Sequence, residues 1–298
     1  MTNAVPPKRI FPTSEVDAHA ARHVPSTPQT ESPAYRLAFQ DNEFLLREDL
    51  RPVRFQLELL KPELLLEEAK IASTFVFYGS ARIPAPERAD ALVAAATTDQ
   101  ERAVAERLKA KSRYYDAARQ LGRLASRTPT DEGGYRHFVV CSGGGPSIME
   151  AANRGAADDG QETIGLNIVL PHEQLPNPYV TPDLSFQFHY FALRKMHFLL
   201  RARAVAVFPG GFGTFDEMFE LLTLIQTGKV RPLPILLFGR DFWSRMVNFQ
   251  GLADEGVIAR EDLDLIHWVE DADEAWDYVQ RFYDERGHPG DTTDTDGS

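Results

Sequence analysis

A glycine-rich segment at residues 209–214 has the composition of an anion-binding loop. The preceding run, Ala204–Phe208, has no charge and is typical of a strand buried on both faces of a parallel sheet. Phe215, Met218, Phe219 and Leu222 then repeat at helical spacing. Glycines let the backbone approach an anion, and the N–H groups at a helix start point towards it. The segment therefore predicts a phosphate site that needs no metal, formed by Gly210, Gly211, Gly213 and Thr214.

A purely structural role for the same segment is also consistent with its spacing. Thr214 and Glu217 are three residues apart, the spacing of an N-terminal capping box in which Glu217 serves only the helix. The glycines could also simply form the turn between strand and helix. The segment is not a P-loop, because no Gly-Lys-Ser/Thr follows it.

Two other predicted strands are also followed by glycine and polar residues. The run Ser73–Tyr78 precedes Gly79 and Ser80, and the run 137–141 precedes Gly143, Gly144 and Gly145. A helix that we expect to begin at Pro146 then carries Glu150. Ligands of open α/β sheets bind outside the carboxyl ends of strands, so these residues are candidate binding groups. Glu150 could equally be a solvated helical carboxylate.

Arg194 and Lys195 interrupt an otherwise apolar helical run, residues 191–200. Burying such charges is costly unless they are paired. A phosphate or a carboxylate partner would satisfy them, and exposure of one helix edge is the alternative.

Taken together, these segments resemble the LOG family of cytokinin riboside 5′-monophosphate phosphoribohydrolases. Residues 209–217 match the family signature PGGxGTxxE, and residues 142–153 resemble its GGGPxIMEAAN segment. Residues 192–196 resemble its RK motif, and residues 77–82 its first strand and loop. The resemblance covers roughly residues 73–282.

The resemblance implies hydrolysis of the N-glycosidic bond of a nucleoside 5′-monophosphate, such as AMP or an N6-modified (cytokinin) nucleotide. It makes Arg194 and Glu217 catalytic and implies a homodimer on a modified Rossmann sheet, with no cofactor. The implied binding residues are Gly79, Ser80, Gly143, Gly144, Gly145, Glu150, Lys195, Gly210, Gly211, Gly213 and Thr214. The alternative is a non-catalytic nucleotide or molybdenum-cofactor carrier on the same fold. Such sequences are often labelled lysine decarboxylases, but no lysine here has a convincing setting for pyridoxal phosphate.

Composition narrows the other functional classes. The 298 residues carry a net charge of −12 and no basic run, which disfavours nucleic-acid binding. The sequence has no apolar span long enough to predict a membrane segment. The single cysteine, Cys141, is consistent with a reducing compartment. The histidines are scattered, so no metal site is predicted. We therefore expect a cytoplasmic protein.

Alternating strand and helix signals predict a doubly wound, mainly parallel α/β sheet with helices on both faces. We predict a disordered arm over residues 1–35 and a helical extension over residues 36–72, broken at Pro52 and Pro62. The catalytic domain would span residues 73–287, with a helical insertion at 84–111, and residues 288–298 would form a disordered tail.

Overall fold

Seven short, mostly apolar runs form one sheet. The computed structural model describes residues 11–171 and 175–285 of the chain. Its strands are β1 (Thr74–Tyr78), β2 (Val139–Ser142), β3 (Ile164–Ile168), β4 (Ser185–Phe188), β5 (Ala202–Val207), β6 (Ile235–Phe238) and β7 (His267–Val269).

The order of the strands is β4-β3-β2-β1-β5-β6-β7, and every pairing is parallel. This confirms the predicted doubly wound α/β class. The chain builds outward from β1 in one direction through β4 and then returns to add β5, β6 and β7 on the other side. The order therefore reverses between β1 and β5, and loops that leave the carboxyl ends at such a point diverge and leave a crevice.

Helices cover both faces of the sheet, as the alternation predicts. The twelve α-helices within the described residues are α1 (Ser14–Ala20), α2 (Asn42–Leu45), α3 (Arg51–Glu68), α4 (Pro86–Ala94), α5 (Asp99–Lys109), α6 (Arg113–Ala125), α7 (Ile148–Ala157), α8 (Phe191–Leu200), α9 (Phe212–Gln226), α10 (Arg240–Met246), α11 (Phe249–Asp254) and α12 (Ala272–Asp284).

The central strand β1 is buried on both faces and contributes to two separate cores. Phe75 and Phe77 pack with α6, α7 and α12 on one face. Val76 and Tyr78 pack with α8 and α9 on the other. Because side chains alternate across a strand, this division follows directly from the sequence Phe-Val-Phe-Tyr.

Contacts divide the chain after Glu58 into two compact units, and α3 runs through the division. In the first unit the disorder predicted for residues 1–35 needs correction, because α1 begins at Ser14. The Thr13 side chain caps it by accepting from Val16 N, and acidic residues occupy its first turn. Residues 1–10 of that predicted arm, and the predicted tail at 288–298, lie outside the described residues.

The predicted helix break at Pro62 is also wrong, because Pro62 lies inside the 18-residue helix α3. An interior proline costs about 3 kcal/mol. Pro62 and Leu66 are both buried, and their packing offsets part of that cost. The predicted insertion at 84–111 does contain two helices, α4 and α5, separated by a capping box of Thr98 and Glu101.

None of the helices in the described ranges is both long and apolar enough to cross a membrane.

Candidate active site

Three loops meet at the crevice where the strand order reverses. They follow the neighbouring strands β2, β1 and β5. Ser80 N, after β1, donates to Pro209 O, after β5, at 3.1 Å. Ile148 N, at the start of α7, donates to Ser80 O at 3.4 Å. The structure thus brings the three glycine-containing segments of the sequence into one place.

The helix after β5 begins earlier than the capping-box interpretation requires. Its first residue is Phe212, and Gly211 is the N-cap with no side-chain capping bond. Thr214 is buried within the first turn, where its side chain packs on Gly210, and a Cβ built on Gly210 would lie 2.1 Å from Thr214 Oγ1. With Gly211 as the N-cap, Thr214 occupies position N3 and Glu217 lies beyond the first turn. The capping-box interpretation is therefore wrong.

Gly211 and Gly213 have no neighbour inside the protein that would explain a glycine. Among the described residues, no heavy atom lies within 4 Å of a Cβ built on either of them, and neither has a positive φ. Phe215 N makes the first helical bond, to Gly211 O at 3.1 Å, so the N–H groups before it have no helical partner. A surface with unpaired N–H groups and no side chains is suited to an anion.

Arg194 on α8 and Glu217 on α9 lie side by side at this crevice. Arg194 Nη1 is 4.0 Å from Glu217 Oε1, and the side chains are 14% and 11% exposed. Arg194 Nε donates to Leu166 O at 2.7 Å, and the guanidinium lies over the Phe198 ring, 5.0 Å from its centroid. Arg194 is therefore held by its own contacts, and Glu217 faces it without a close hydrogen bond.

Burial is the main cause of the pKa shifts of both residues in this pair. Burial raises the pKa of Glu217 to about 7, although the charges of Arg194 and Lys195 oppose the shift. Burial also lowers the pKa of Arg194, against the charge of Glu217. Glu217 is thus a carboxylate whose pKa of about 7 suits a general base.

Other side chains of the protein fill the space beside the glycines of the loop after β2. A Cβ on Gly143 would lie 2.6 Å from Arg194 Nη2, so glycine here admits the guanidinium. Gly144 has a φ of +72°, and its Cβ would lie 2.2 Å from Asn167 Oδ1. The Gly145 carbonyl accepts from Asn177 Nδ2 at 3.0 Å. This loop positions Arg194, and its own backbone is fixed from within.

Polar side chains below this loop hold its shape. Ser142 Oγ donates to Asn153 Oδ1 at 2.7 Å and accepts from Gly144 N at 3.0 Å. The predicted start of α7 at Pro146 is wrong: the helix begins at Ile148, because Ser147 has a positive φ of 67° that no residue of a right-handed helix adopts. Its hydroxyl donates to Ile83 O, which ties this turn to the loop after β1.

Lys195 and Glu150 make their contacts away from the glycine loop after β5. Lys195 Nζ lies 3.0 Å from Asp216 Oδ2 and 2.8 Å from Glu220 Oε2, both on α9. Glu150 is buried and accepts from the Tyr115 hydroxyl at 3.0 Å, so the solvated-carboxylate interpretation is wrong. Substrate binding by these two residues stays a prediction.

Tyr78 is a site residue that the sequence did not indicate. It is 5% exposed, and within the described parts of the chain its hydroxyl has no hydrogen-bond partner. Its ring meets the Phe198 ring edge-on at 5.2 Å. The available signal was a tyrosine that ends an apolar strand immediately before Gly79.

Other reactive side chains give no second centre. Cys141 is buried, and burial raises the pKa of its thiol, as an inert cysteine requires. Across residues 11–171 and 175–285, no three histidine, cysteine or acidic side chains cluster in a way that could hold a metal ion.

Comparison with known proteins gives one family-model match and several partial matches to curated proteins. The family model described as "possible lysine decarboxylase" matches residues 149–279. The phosphoribohydrolase LOG2 of Arabidopsis thaliana is 27% identical over 50% of this chain and 67% of its own length. The rice phosphoribohydrolase LOG is 28% identical over 51% of this chain and 60% of its own.

An Escherichia coli pyrimidine/purine nucleotide 5′-monophosphate nucleosidase is 30% identical over 39% of this chain and 27% of its own length. Among solved structures, TM1055 aligns with a TM-score of 0.43 at 19% identity, over 70% of this chain and 99% of its own. A molybdenum cofactor carrier protein of Chlamydomonas reinhardtii aligns with a TM-score of 0.40 at 16% identity, over 71% and 99%. The sequence matches confirm the resemblance to the LOG family.

Proposed function

We propose, from its kinship with the LOG phosphoribohydrolases, that this protein hydrolyses the N-glycosidic bond of nucleoside 5′-monophosphates to free base and ribose 5-phosphate. AMP and N6-modified adenine nucleotides are the proposed substrates. The observation that carries the proposal is the pair of Arg194 and Glu217, 4.0 Å apart beside a helix start with unpaired N–H groups. A carrier would need the anion site, but it would have no use for a buried carboxylate that titrates near pH 7.

The 5′-phosphate would bind at the start of α9. The N–H groups of Gly211, Gly213 and Thr214 precede the first helical hydrogen bond, and a helix start favours a negative charge. Gly211 and Gly213 present no side chain that would keep an anion away from these N–H groups. The overall charge of −12 makes such local binding groups necessary.

Glu217 would act at the ribose. Breaking the bond between C1′ and the base nitrogen builds positive charge on the sugar, which a nearby carboxylate stabilises. Glu217 would also accept a proton from the attacking water, whose oxygen bonds to C1′. The electron pair of the broken bond leaves with the base, which gains the proton. Arg194 would neutralise the phosphate or assist the departing base.

The proposed role requires Glu217 to be ionised. Because burial raises its pKa to about 7, the carboxylate is mostly protonated below that pH and mostly charged above it. We therefore expect kcat/KM to rise with pH up to about 7 and then to level off.

Product analysis with the purified full chain tests the proposal. Incubation with AMP should yield adenine and ribose 5-phosphate in equal amounts, and adenosine, which lacks the phosphate, should be a much poorer substrate. A panel of N6-modified and other nucleoside monophosphates would define the preferred base. If no nucleotide in the panel releases its base, the protein is not a phosphoribohydrolase, and tight nucleotide binding without cleavage would favour the carrier alternative.

The same kinship supports a homodimer. Sedimentation equilibrium would measure the assembly, and a mass equal to that of one chain would contradict this part of the proposal.

A further inference from the structure

Tyr78 has a buried hydroxyl group without a hydrogen-bond partner. Its oxygen is sealed from solvent, and no described residue donates to it or accepts from it. Buried hydroxyl groups are costly to leave unpaired, and most in native proteins have a partner. Such a group at the end of the central strand β1, beside the crevice, suggests that it has a partner in another state of the site.

The position of Tyr78 directs it towards the catalytic pair. Its ring packs on Phe198 from β1, and the Arg194 guanidinium lies over the same Phe198 ring from α8. Burial, and after it the charge of Glu217, raise the pKa of the Tyr78 phenol. The phenol therefore stays protonated and can act as a donor.

Among the titratable groups whose charges act on the Tyr78 phenol, one is a suitable acceptor. These groups are Glu217 and Glu220 from α9, Arg194 from α8 and Cys141 from β2. Arg194 is only a donor and the Cys141 thiol is a weak acceptor, while Glu220 is bound to Lys195 at 2.8 Å. Glu217 has no hydrogen bond from any described residue and only Arg194 within ion-pair distance, at 4.0 Å. Glu217 is therefore the one acceptor among these groups that remains available to Tyr78.

We propose that Tyr78 is a positioning residue, whose phenol donates a hydrogen bond to the Glu217 carboxylate when a nucleotide occupies the crevice. One carboxylate oxygen would then accept from Tyr78 and the other would face the ribose. The bond would hold Glu217 in its ionised form and in one orientation. Because the hydroxyl is sealed from solvent, Tyr78 acts through Glu217 and does not touch the substrate. This inference rests on the proposed function and adds a residue to it.

The Tyr78→Phe variant tests the inference, because it removes only the hydroxyl. With AMP we expect kcat to fall about tenfold and KM to change little, since the phosphate is held at α9. The loss of a donor raises the pKa of Glu217, so the acid limb of the kcat profile should move up by about one pH unit. Asp216 and Lys195, which also face Glu217, are unchanged in this variant. The melting temperature should not fall, because the variant removes an unpaired polar group.

Tyr115→Phe is the matched control. The Tyr115 hydroxyl is also buried, but it donates to Glu150 at 3.0 Å. Its loss should lower the melting temperature and leave the acid limb where it is in the wild type. If Tyr78→Phe has the kcat and the pH profile of an active wild type, Tyr78 does not position Glu217. A wild type that cleaves no nucleotide would instead overturn the proposed function, so the two failures are distinguishable.

Discussion

The loops after β2 and β5 have similar sequence patterns, but different groups surround them. Each places glycines after a buried strand, then a helix with a glutamate near its start. After β2, the side chains of Arg194 and Asn167 fill the space that Cβ atoms on the glycines would occupy. Glu150 there accepts a hydrogen bond from the Tyr115 hydroxyl at 3.0 Å. After β5, Gly211 and Gly213 have no described atom within 4 Å of a built Cβ, and Glu217 has no hydrogen bond from the described residues.

This difference separates a supporting loop from a binding loop. Unmet hydrogen-bonding groups cost stability, so a protein retains them together where a ligand satisfies them. The loop after β2 supports Arg194, and the loop after β5 offers its N–H groups and its carboxylate outward. The following variants test the distinction, from the largest expected effect to the smallest.

Glu217→Gln should give the largest effect. It removes the charge that would stabilise the sugar in the transition state, so we expect kcat for AMP to fall at least about a hundredfold. KM and the melting temperature should change little, because Glu217 neither caps α9 nor accepts a hydrogen bond from any described residue. Steady-state kinetics and thermal unfolding measure both. A variant that retains most of its kcat would remove Glu217 from the chemistry.

Glu150→Ala should act on stability. It leaves the buried Tyr115 hydroxyl without its acceptor, and we expect the free energy of unfolding to fall by about 1–3 kcal/mol. Denaturant titrations of Glu150→Ala and Glu217→Ala measure the difference between their free energies of unfolding. If Glu217→Ala loses more stability than Glu150→Ala, Glu217 is the structural carboxylate, which contradicts the roles given to the two residues.

Gly213→Ala should act on binding alone. A Cβ there meets no described atom and adopts no strained φ, so the fold should keep its melting temperature. The methyl group would stand where the phosphate approaches, and we expect KM for AMP to rise about tenfold. Kinetics with adenosine provide the control, because a substrate without phosphate should be unaffected. An unchanged KM for AMP would place the phosphate elsewhere.

The sequence predicted the elements of this fold well, because each strand is a short apolar run and each crossover helix has its own periodicity. The family motifs also singled out Arg194 and Glu217, which the structure places 4.0 Å apart. The helix boundaries at the site were less accurate. In the alternative interpretation Thr214 would cap α9, but Gly211 is the N-cap and Thr214 packs against Gly210 within the first turn.

Tertiary contacts explain what could not be predicted. The sequence left the partner of Lys195 open between a phosphate and a carboxylate, because only packing of α8 beside α9 brings its ammonium to two carboxylates of α9. Glu150 was predicted either to bind substrate or to be solvated, and its partner Tyr115 lies 35 residues earlier in the chain. Tyr78 lies in the segment that resembles the family's first strand and loop, but its importance depends on which groups surround its hydroxyl.

A crystal structure of the Glu217→Gln variant with AMP tests the distinction between the two loops most directly, because a slow enzyme keeps its substrate bound. The account predicts the 5′-phosphate on the N–H groups of Gly211, Gly213 and Thr214, with C1′ of the ribose beside position 217. A phosphate held by Gly143–Gly145 instead, or a ribose turned away from position 217, would contradict it.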